Sequence, residues 1–244
     1  MNDEFNFQIA LNACAQDIFR SQADQDYISA RSSYFMGFQQ QFLWSAQQAV
    51  EKYLKAILLY NGNTARWKKE PNSNGNGGKT FGHDLIALNS KVKEIGYLEY
   101  SLPEWGELYL NKLAKFGGAN RYLSQWSDTT YEDLEKLDEL VWYIRRYCFF
   151  IRENTEKMSF RDTKINSIKS KSFPTMHNLN DGLLEKVIKN KSTARDALVR
   201  ENRVYGTEND LLQETQISSS IIPPRDRDWF TEDMKERLEY FIQP

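Results

Sequence analysis

Two histidines, His83 and His177, are the only imidazoles in this chain of 244 residues, so they limit the acid–base and metal chemistry open to it. His83 precedes Asp84 at the predicted start of a helix, where it could hydrogen-bond a first-turn amide, contact a carboxylate, or act as an acid or base. His177 lies in a polar segment without a neighbouring Asp, Glu or Cys cluster. We therefore predict a structural role for His83, and neither a metal site nor a cofactor.

Several arginines stand where they could present guanidinium groups to a phosphate. Arg121 follows a diglycine, and Arg145 and Arg146 are adjacent on the exposed or flanking side of a predicted helix. The alternative is that these arginines cap helix ends and pair with acids. Glu132, Asp133 and Glu139 are candidate partners on the same predicted helix. Both interpretations stay open at this point.

The stretch from 63 to 79 is rich in Arg, Lys, Asn and Gly and cannot bury an apolar face, so we predict a surface loop. The string SNGNGGKT nearly matches a phosphate-binding loop, but Ser73 replaces its first glycine and no buried strand precedes it. Trp67 stands within a basic cluster, a pairing that base stacking beside phosphate contact would need. The basic residues are Arg66, Lys68, Lys69 and Lys79. We favour a solvated connector over a nucleotide site.

The best-patterned element runs from Phe38 to Gly62. Its apolar residues recur at the three- and four-residue steps of an amphipathic helix: Phe38, Phe42, Ala46, Ala49, Tyr53 and Ile57. Glu51 precedes Lys55 by four residues in the favourable order, and a terminal Asn-Gly supplies a stop. We expect this helix to anchor the fold, with its charged edge of Glu51, Lys52 and Lys55 as a candidate pocket lining.

Four further segments complete the expected bundle. The spacing predicts helices over 11–35, 84–95, 103–113 and about 130–152, with Gly117 and Gly118 as a stop and a capping box at Thr129 and Glu132. The last helix is the most regular, and its C-terminal half is apolar nearly all round, so we expect the tail or a second subunit to cover it. Its seam residues are Leu134, Leu137, Val141, Ile144, Cys148 and Ile151.

Composition changes after about Ser159, where we place a domain boundary. We expect residues 1–158 to form a helical bundle and 159–244 to form a polar linker and helical extension, packed on the bundle or on a partner subunit. Helices are predicted there over 183–203 and 229–241. The chain has 32 basic and 34 acidic residues, so nucleic-acid binding would need a local patch.

Cys14 and Cys148 lie far apart among apolar neighbours, which fits a reduced compartment and two core thiols better than a disulfide framework. No suitable Cys–His spacing supports a nucleophilic pair. Asp3 and Glu4 stand where a signal peptide would be basic, and no apolar run approaches the length of a membrane span. We expect a cytoplasmic protein without membrane contact.

The runs DQDYISARSSYFMG, SAQQAVEKYLKAILLYNG, GHDLIALN and ANRYLSQW, followed by a final long helix, resemble the HEPN family of small helical bundles. The resemblance covers roughly residues 10–154. It implies an all-α, up-and-down bundle of about five helices, often dimeric, associated with RNA cleavage, nucleotide binding or nucleotidyltransferase partners in toxin–antitoxin and defence systems. His83 matches the family's common His-Asp-Leu start of the third helix, which implies a structural role or a place in a pocket wall.

Catalytic members of that family carry an Arg, four to six residues and then a His on the late helix, where the pairs of two subunits converge on the ribose 2′-hydroxyl and the cleaved phosphate. No histidine follows Arg145 or Arg146 at that spacing. We therefore expect a non-catalytic domain that dimerises through the 130–152 helix and binds a nucleotide, RNA or a protein partner. The candidate ligand-binding residues are Lys55, His83, Arg121, Arg145 and Arg146.

Two alternatives stay open. A metal-independent ribonuclease could use an atypical site in which Arg145 or Arg146 steadies the phosphate and His83 acts as the base, provided that a hydrogen bond or one water can span them. A scaffold or antitoxin-like subunit would instead present a large apolar partner surface and no basic concavity.

Overall fold

The computed structural model describes residues 11–65, 84–120, 129–148 and 182–205, and the elements in these ranges are all helical. The α-helices there are α1 (Ser21–Phe35), α2 (Gln39–Tyr60), α3 (Leu85–Lys93), α4 (Glu104–Asn120), α5 (Tyr131–Arg145), α6 (Leu183–Lys189) and α7 (Thr193–Val199). A π-helical turn, Ala15–Arg20, leads into α1, and a 3₁₀ turn, Gly96–Leu98, separates α3 from α4. The prediction of an all-α helical bundle is confirmed. None of the described helices has the length and apolar character needed to cross a bilayer.

The helix α2 lies at the centre of the bundle and packs against α1, α3, α4 and α5. Five of the predicted seam residues are fully buried: Phe42, Ala46, Ala49, Tyr53 and Ile57. Leu43, Leu54 and Leu58 on other sides of α2 are fully buried too, so the helix is covered nearly all round. Phe38 differs from the prediction, since it precedes the first turn and is 57% exposed.

The predicted stop at Gly117 and Gly118 is wrong, because α4 continues through both glycines to Asn120. A Cβ at Gly117 would lie 2.5 Å from the Cβ of Gln47 on α2. Glycine is therefore needed for the close approach of the two helices, while the backbone stays helical. Gly117 serves helix packing, and neither glycine ends the helix.

The helix α5 begins one residue after its predicted start and ends well before the predicted position 152. Its capping box joins Thr130 and Asp133, where the Thr130 amide donates to Asp133 Oδ2 at 2.8 Å, so the predicted box at Thr129 and Glu132 is wrong by one residue. The α-helix ends at Arg145, followed by a tight turn. The described seam residues are fully buried: Leu134, Leu137, Val141, Ile144 and Cys148. Ile151 lies outside the described residues.

The C-terminal segment 182–205 contains two short helices instead of the single predicted one. The chain starts a new helix at α7 because Ser192 Oγ accepts a hydrogen bond from the Arg195 amide at 3.2 Å. Both α6 and α7 pack against α1. The boundary predicted near Ser159 and the helix predicted over 229–241 lie outside the described residues.

Candidate functional site

Arg145, at the end of α5, lies at the centre of a buried polar network. The residue is 2% exposed and makes five hydrogen bonds, one for each of its N–H groups. Nε and Nη2 donate to Asp24 at 2.8 and 3.1 Å, while Nη1 and Nη2 each donate to Glu185 at 2.7 Å. A longer contact of 3.4 Å joins Nη1 to the Tyr205 hydroxyl. The donors of this guanidinium are therefore occupied by groups of the same chain.

Asp24 supplies a fully buried carboxylate from α1. It also accepts the Tyr53 hydroxyl at 2.6 Å and the Leu184 amide at 3.3 Å. Burial acts to raise the pKa of Asp24, but Arg145 and the hydrogen bonds outweigh burial and hold this pKa below its ordinary value. Burial likewise acts to lower the pKa of Arg145, while the adjacent carboxylates raise it well above its usual range. Both groups are thus ionised at neutral pH.

The second carboxylate, Glu185, comes from the first turn of α6 and is 4% exposed. Gly182 lies directly beside it. A Cβ at Gly182 would lie 2.4 Å from Glu185 Oε2 and 2.7 Å from Arg145 Nη2. A larger side chain would displace the ion pair, so this close approach requires glycine.

Arg20 is a second buried guanidinium beside the same network. It is 1% exposed, and its Nη1 donates to Gln16 Oε1 at 3.0 Å. Its Nε and Nη2 have no hydrogen-bond partner among the described residues. A Cβ at Gly182 would lie 2.8 Å from Nη2 of Arg20, so the guanidinium groups of Arg20 and Arg145 both lie close to the backbone of Gly182.

A separate ionic network ties α7 to the bundle. Arg31 of α1 is fully buried, pairs with Asp138 of α5, and donates to the backbone carbonyls of Ala197 and Arg200. The Tyr27 hydroxyl donates to Asp138 at 2.6 Å. The segment 182–205 is therefore held on the bundle at two places, by Glu185, which accepts from Arg145 of α5, near one end and by Arg31 of α1 near the other.

Arg146 lies in an aromatic cage and is 8% exposed. Its Cζ is 4.4, 5.0 and 5.2 Å from the ring centres of Trp142, Tyr143 and Tyr147, distances at which a cation is attracted to a ring face. Burial lowers the pKa of Arg146, although the nearby tyrosines act to raise it. The predicted exposed or flanking position of Arg145 and Arg146 is wrong, because both pack inward. The partners of Arg145 are also not the acids of its own helix.

Of the remaining candidates, Lys55 lies within the described part of the chain. Lys55 donates to Glu51 Oε1 at 2.7 Å across one turn of α2, and its side chain is 19% exposed. His83 and Arg121 lie outside the described residues. A ligand-binding role for the predicted set stays a prediction.

The exposed side of α6 and the start of α7 is strongly basic, a feature that the sequence analysis missed. Residues 182–205 carry six basic and three acidic side chains, a net charge of +3 within a chain of net charge −2. Arg195 lies beside the end of α6, since its Nε donates to the Ile188 carbonyl at 2.9 Å. We define the basic edge as Lys186, Lys189, Lys191 and Arg195, of which the three lysines are exposed and Arg195 is half-buried. Burial of Glu185 removes an acid from this surface.

A cleft of about 380 Å³ opens where the α1–α2 turn, the start of α5 and the turn after α7 meet. The Cζ of Arg200 lies 4.1 Å from the Phe35 ring centre, and the Arg200 side chain is 60% exposed. Tyr34 and Tyr131 add aromatic surface, and the Glu201 carboxylate lies 3.5 Å from Arg200 Nε. A cleft of this volume with aromatic and charged walls suits a small planar ligand.

Both cysteines are free and buried, as expected. Burial raises the pKa of the Cys148 thiol to about 12 and that of the Cys14 thiol to about 11. Neither is therefore a ready nucleophile at neutral pH. Within the described ranges, no three His, Cys, Asp or Glu side chains are grouped closely enough to hold a metal ion.

The fold and the position of the buried network define a helical bundle closed by its own C-terminal segment. The family model of the HEPN domain matches residues 17–72, which confirms the resemblance for that part of the chain. The match includes α1, α2 and three members of the network, Arg20, Asp24 and Tyr53, but not Arg145. Comparison with curated proteins and with solved structures found no match.

The network residues that the sequence analysis missed have one recognisable signal. Arg20, Asp24, Tyr27 and Arg31 follow at steps of four, three and four, so they share one face of the π-helical turn and α1 with buried Ala23. Charged residues on an apolar face indicate buried ion pairs. Their partners on α5 and α6 have no such local signal.

Proposed function

We propose that this chain is a HEPN-like domain that binds RNA without cleaving it. The observation that carries the proposal is the full occupation of Arg145, one of the two adjacent arginines at which the family's catalytic pair could begin. Its five N–H groups bond to Asp24, Glu185 and Tyr205, so none is directed to a ribose or a phosphate. The lack of a histidine at the family's spacing points the same way.

The basic edge supports RNA as the ligand. Lysine and arginine side chains supply most of the sequence-independent affinity for a phosphate backbone by releasing counterions. The two anchors of segment 182–205, at Arg145 and Arg31, hold α6 and α7 on the bundle, so the fold positions the cations of the basic edge side by side. The HEPN match favours RNA over other polyanions, since HEPN domains often occur in ribonuclease and toxin–antitoxin contexts.

Fluorescence anisotropy with a labelled single-stranded RNA of about 20 nucleotides, which exceeds a common single-strand site size, tests this proposal. The test variant is Lys186→Gln/Lys189→Gln/Lys191→Gln in the full chain. We expect the slope of log Kobs against log salt to become shallower by about two, since each phosphate that a lysine no longer neutralises removes roughly 0.7 from the slope. Binding at low salt should weaken by about tenfold or more.

The matched control is Lys91→Gln/Lys93→Gln/Lys115→Gln, which makes the same change of net charge on α3 and α4. It should leave the salt slope within error of the unmodified protein. Equal losses in the two variants would show that overall charge, and not the basic edge, governs binding. Absence of RNA binding by the unmodified protein would refute the proposal.

A second candidate function is binding of a mononucleotide in the cleft beside Arg200. The observation that favours it is the Arg200 guanidinium lying over Phe35, which places a phosphate-binding group next to aromatic surface for a base. Isothermal titration with AMP and GMP tests it. Arg200→Ala should abolish the heat of binding, whereas Arg203→Ala, at another exposed arginine, should retain it.

The partner and the assembly state also stay proposals. Within one chain the described seam of α5 is already buried, so dimerisation through residues 130–152 would use other parts of that stretch. A homodimer would elute at twice the monomer mass in light scattering. A nucleotidyltransferase or other protein partner, a toxin–antitoxin role and a cytoplasmic location are further expectations from the family resemblance.

A further inference from the structure

The buried network combines four charged side chains, three from the bundle and one from the C-terminal segment. Arg20, Asp24 and Arg145 belong to the bundle, and Glu185 belongs to the C-terminal segment. All four are at most 4% exposed. The bundle alone would hold two cations against one anion, a net charge of +1, and Glu185 brings the sum to zero. A buried uncompensated charge is costly, so the bundle requires an anion at this position.

The carboxylate of Glu185 does not satisfy the site completely. It occupies Nη1 and Nη2 of Arg145, but Nε and Nη2 of Arg20 have no partner among the described residues. Both guanidinium groups nevertheless lie close to Gly182, since a Cβ there would be 2.7 Å from Arg145 Nη2 and 2.8 Å from Arg20 Nη2. A planar carboxylate has two oxygens, whereas a phosphate monoester presents three and can bond two guanidinium groups at once.

We propose that Arg20 and Arg145 form an anion site in which Glu185 is a resident ligand of the same chain, and that a phosphate monoester competes with it. A phosphate monoester can replace Glu185 only if α6 moves away from the bundle. The Arg31 network keeps the rest of the segment in place during this movement. Arg31 holds α7 through the Ala197 and Arg200 carbonyls, so α7 stays attached while Glu185 leaves. The C-terminal segment is thus a built-in competitor that keeps the site closed until a phosphate ligand is present.

Titration of inorganic phosphate and pyrophosphate at constant ionic strength tests this site in the full chain, with thermal unfolding as the readout. Glu185→Gln keeps the shape of the side chain and removes its charge, so the apparent affinity for phosphate should rise at least about tenfold as the competitor is weakened. Glu132→Gln is the matched control, because Glu132 is 69% exposed on α5, and it should show no rise. Arg20→Met in the Glu185→Gln background should remove the gain.

Amide hydrogen exchange of the unmodified protein provides a readout that does not depend on any variant folding. Saturating pyrophosphate should speed exchange in α6 and leave exchange in α7 unchanged. Unchanged α6 protection, together with no gain in phosphate affinity for Glu185→Gln, would overturn the proposal and leave Glu185 as a structural pair only. An equal gain for Glu132→Gln would also overturn it.

Two RNAs that differ only at the 5′ end distinguish an RNA end from a free phosphate compound as the ligand. A 5′-phosphorylated RNA and the same RNA with a 5′-hydroxyl should differ in their effect on α6 exchange if the ligand is an RNA end. Equal effects of the two RNAs, with a response to inorganic phosphate, would identify a free phosphate compound. This site does not depend on the basic edge, so Lys186→Gln/Lys189→Gln/Lys191→Gln should retain the phosphate response even if RNA binding fails.

Discussion

Replacing Arg145 with methionine tests whether this arginine belongs to the fold. Methionine keeps an unbranched chain but removes five hydrogen bonds, and it leaves Asp24 and Glu185 at 0% and 4% exposure without their main cation. Removing one partner of a buried ion pair costs about 3–5 kcal/mol, because the remaining charge cannot regain water. Two carboxylates lose their partner here, while Arg20 offsets part of the loss. We expect the free energy of unfolding to fall by about 4 kcal/mol.

Urea unfolding followed by circular dichroism measures this loss. The matched control is Arg203→Met, because Arg203 is 61% exposed and 3.8 Å from Glu139, and it should change the free energy by less than about 0.5 kcal/mol. Arg145→Met/Glu185→Gln should lose about 1–3 kcal/mol less than the sum of the single variants, since the two side chains interact directly. A loss below about 1 kcal/mol for Arg145→Met, or simple additivity, would refute the structural role.

Three further predictions concern the anchors and the packing of the bundle. Arg31→Met should cost about 3–5 kcal/mol and speed amide exchange in α7, and unchanged exchange there would contradict the second anchor. Gly117→Ala should lower the free energy of unfolding by about 1–3 kcal/mol in thermal unfolding, because its Cβ would lie 2.5 Å from the Cβ of Gln47. The control Gly106→Ala should be neutral or stabilising, because its Cβ would make ordinary 3.4 Å contacts. The pKa of Asp24 is lower in the folded than in the unfolded state, so its stabilisation is complete above about pH 4 and is lost as the pH falls through the folded pKa. The stability difference between the unmodified protein and Asp24→Asn should therefore be constant between about pH 5 and 8 and shrink below about pH 4, and a constant difference at all pH values would contradict this.

Local periodicity predicted the elements that have one clear apolar face. The helix predicted over 38–62 occurs at Gln39–Tyr60, and the seam of α5 is buried at each described position. The errors arise where tertiary packing overrides a local signal. Gly117 would suit a helix end, but here it allows α4 to approach α2 closely. Ser192 lies inside a helical pattern, but its hydroxyl starts a new helix.

The candidate site could be predicted only in part, because its ion pairs join distant positions. Arg145 pairs with Asp24 and Glu185 across 121 and 40 positions, and no local pattern specifies such partners. Arg145 was recognised as a residue that could bind phosphate, yet burial and two carboxylates decide what it contacts. The basic edge was missed because the sequence does not show that Glu185 is buried while the neighbouring Lys186 stays exposed.

Recovery of the RNA from its complex with the unmodified protein tests the central claim most directly. The complex is isolated on a native gel, and the extracted RNA is then run on a denaturing gel. We predict that RNA shifted on the native gel is recovered at full length after extended incubation, since Arg145 is committed to Asp24 and Glu185. The account would be contradicted if the unmodified protein yielded shortened RNA and Arg145→Lys yielded full-length RNA. That result would make this buried arginine part of a cleaving site.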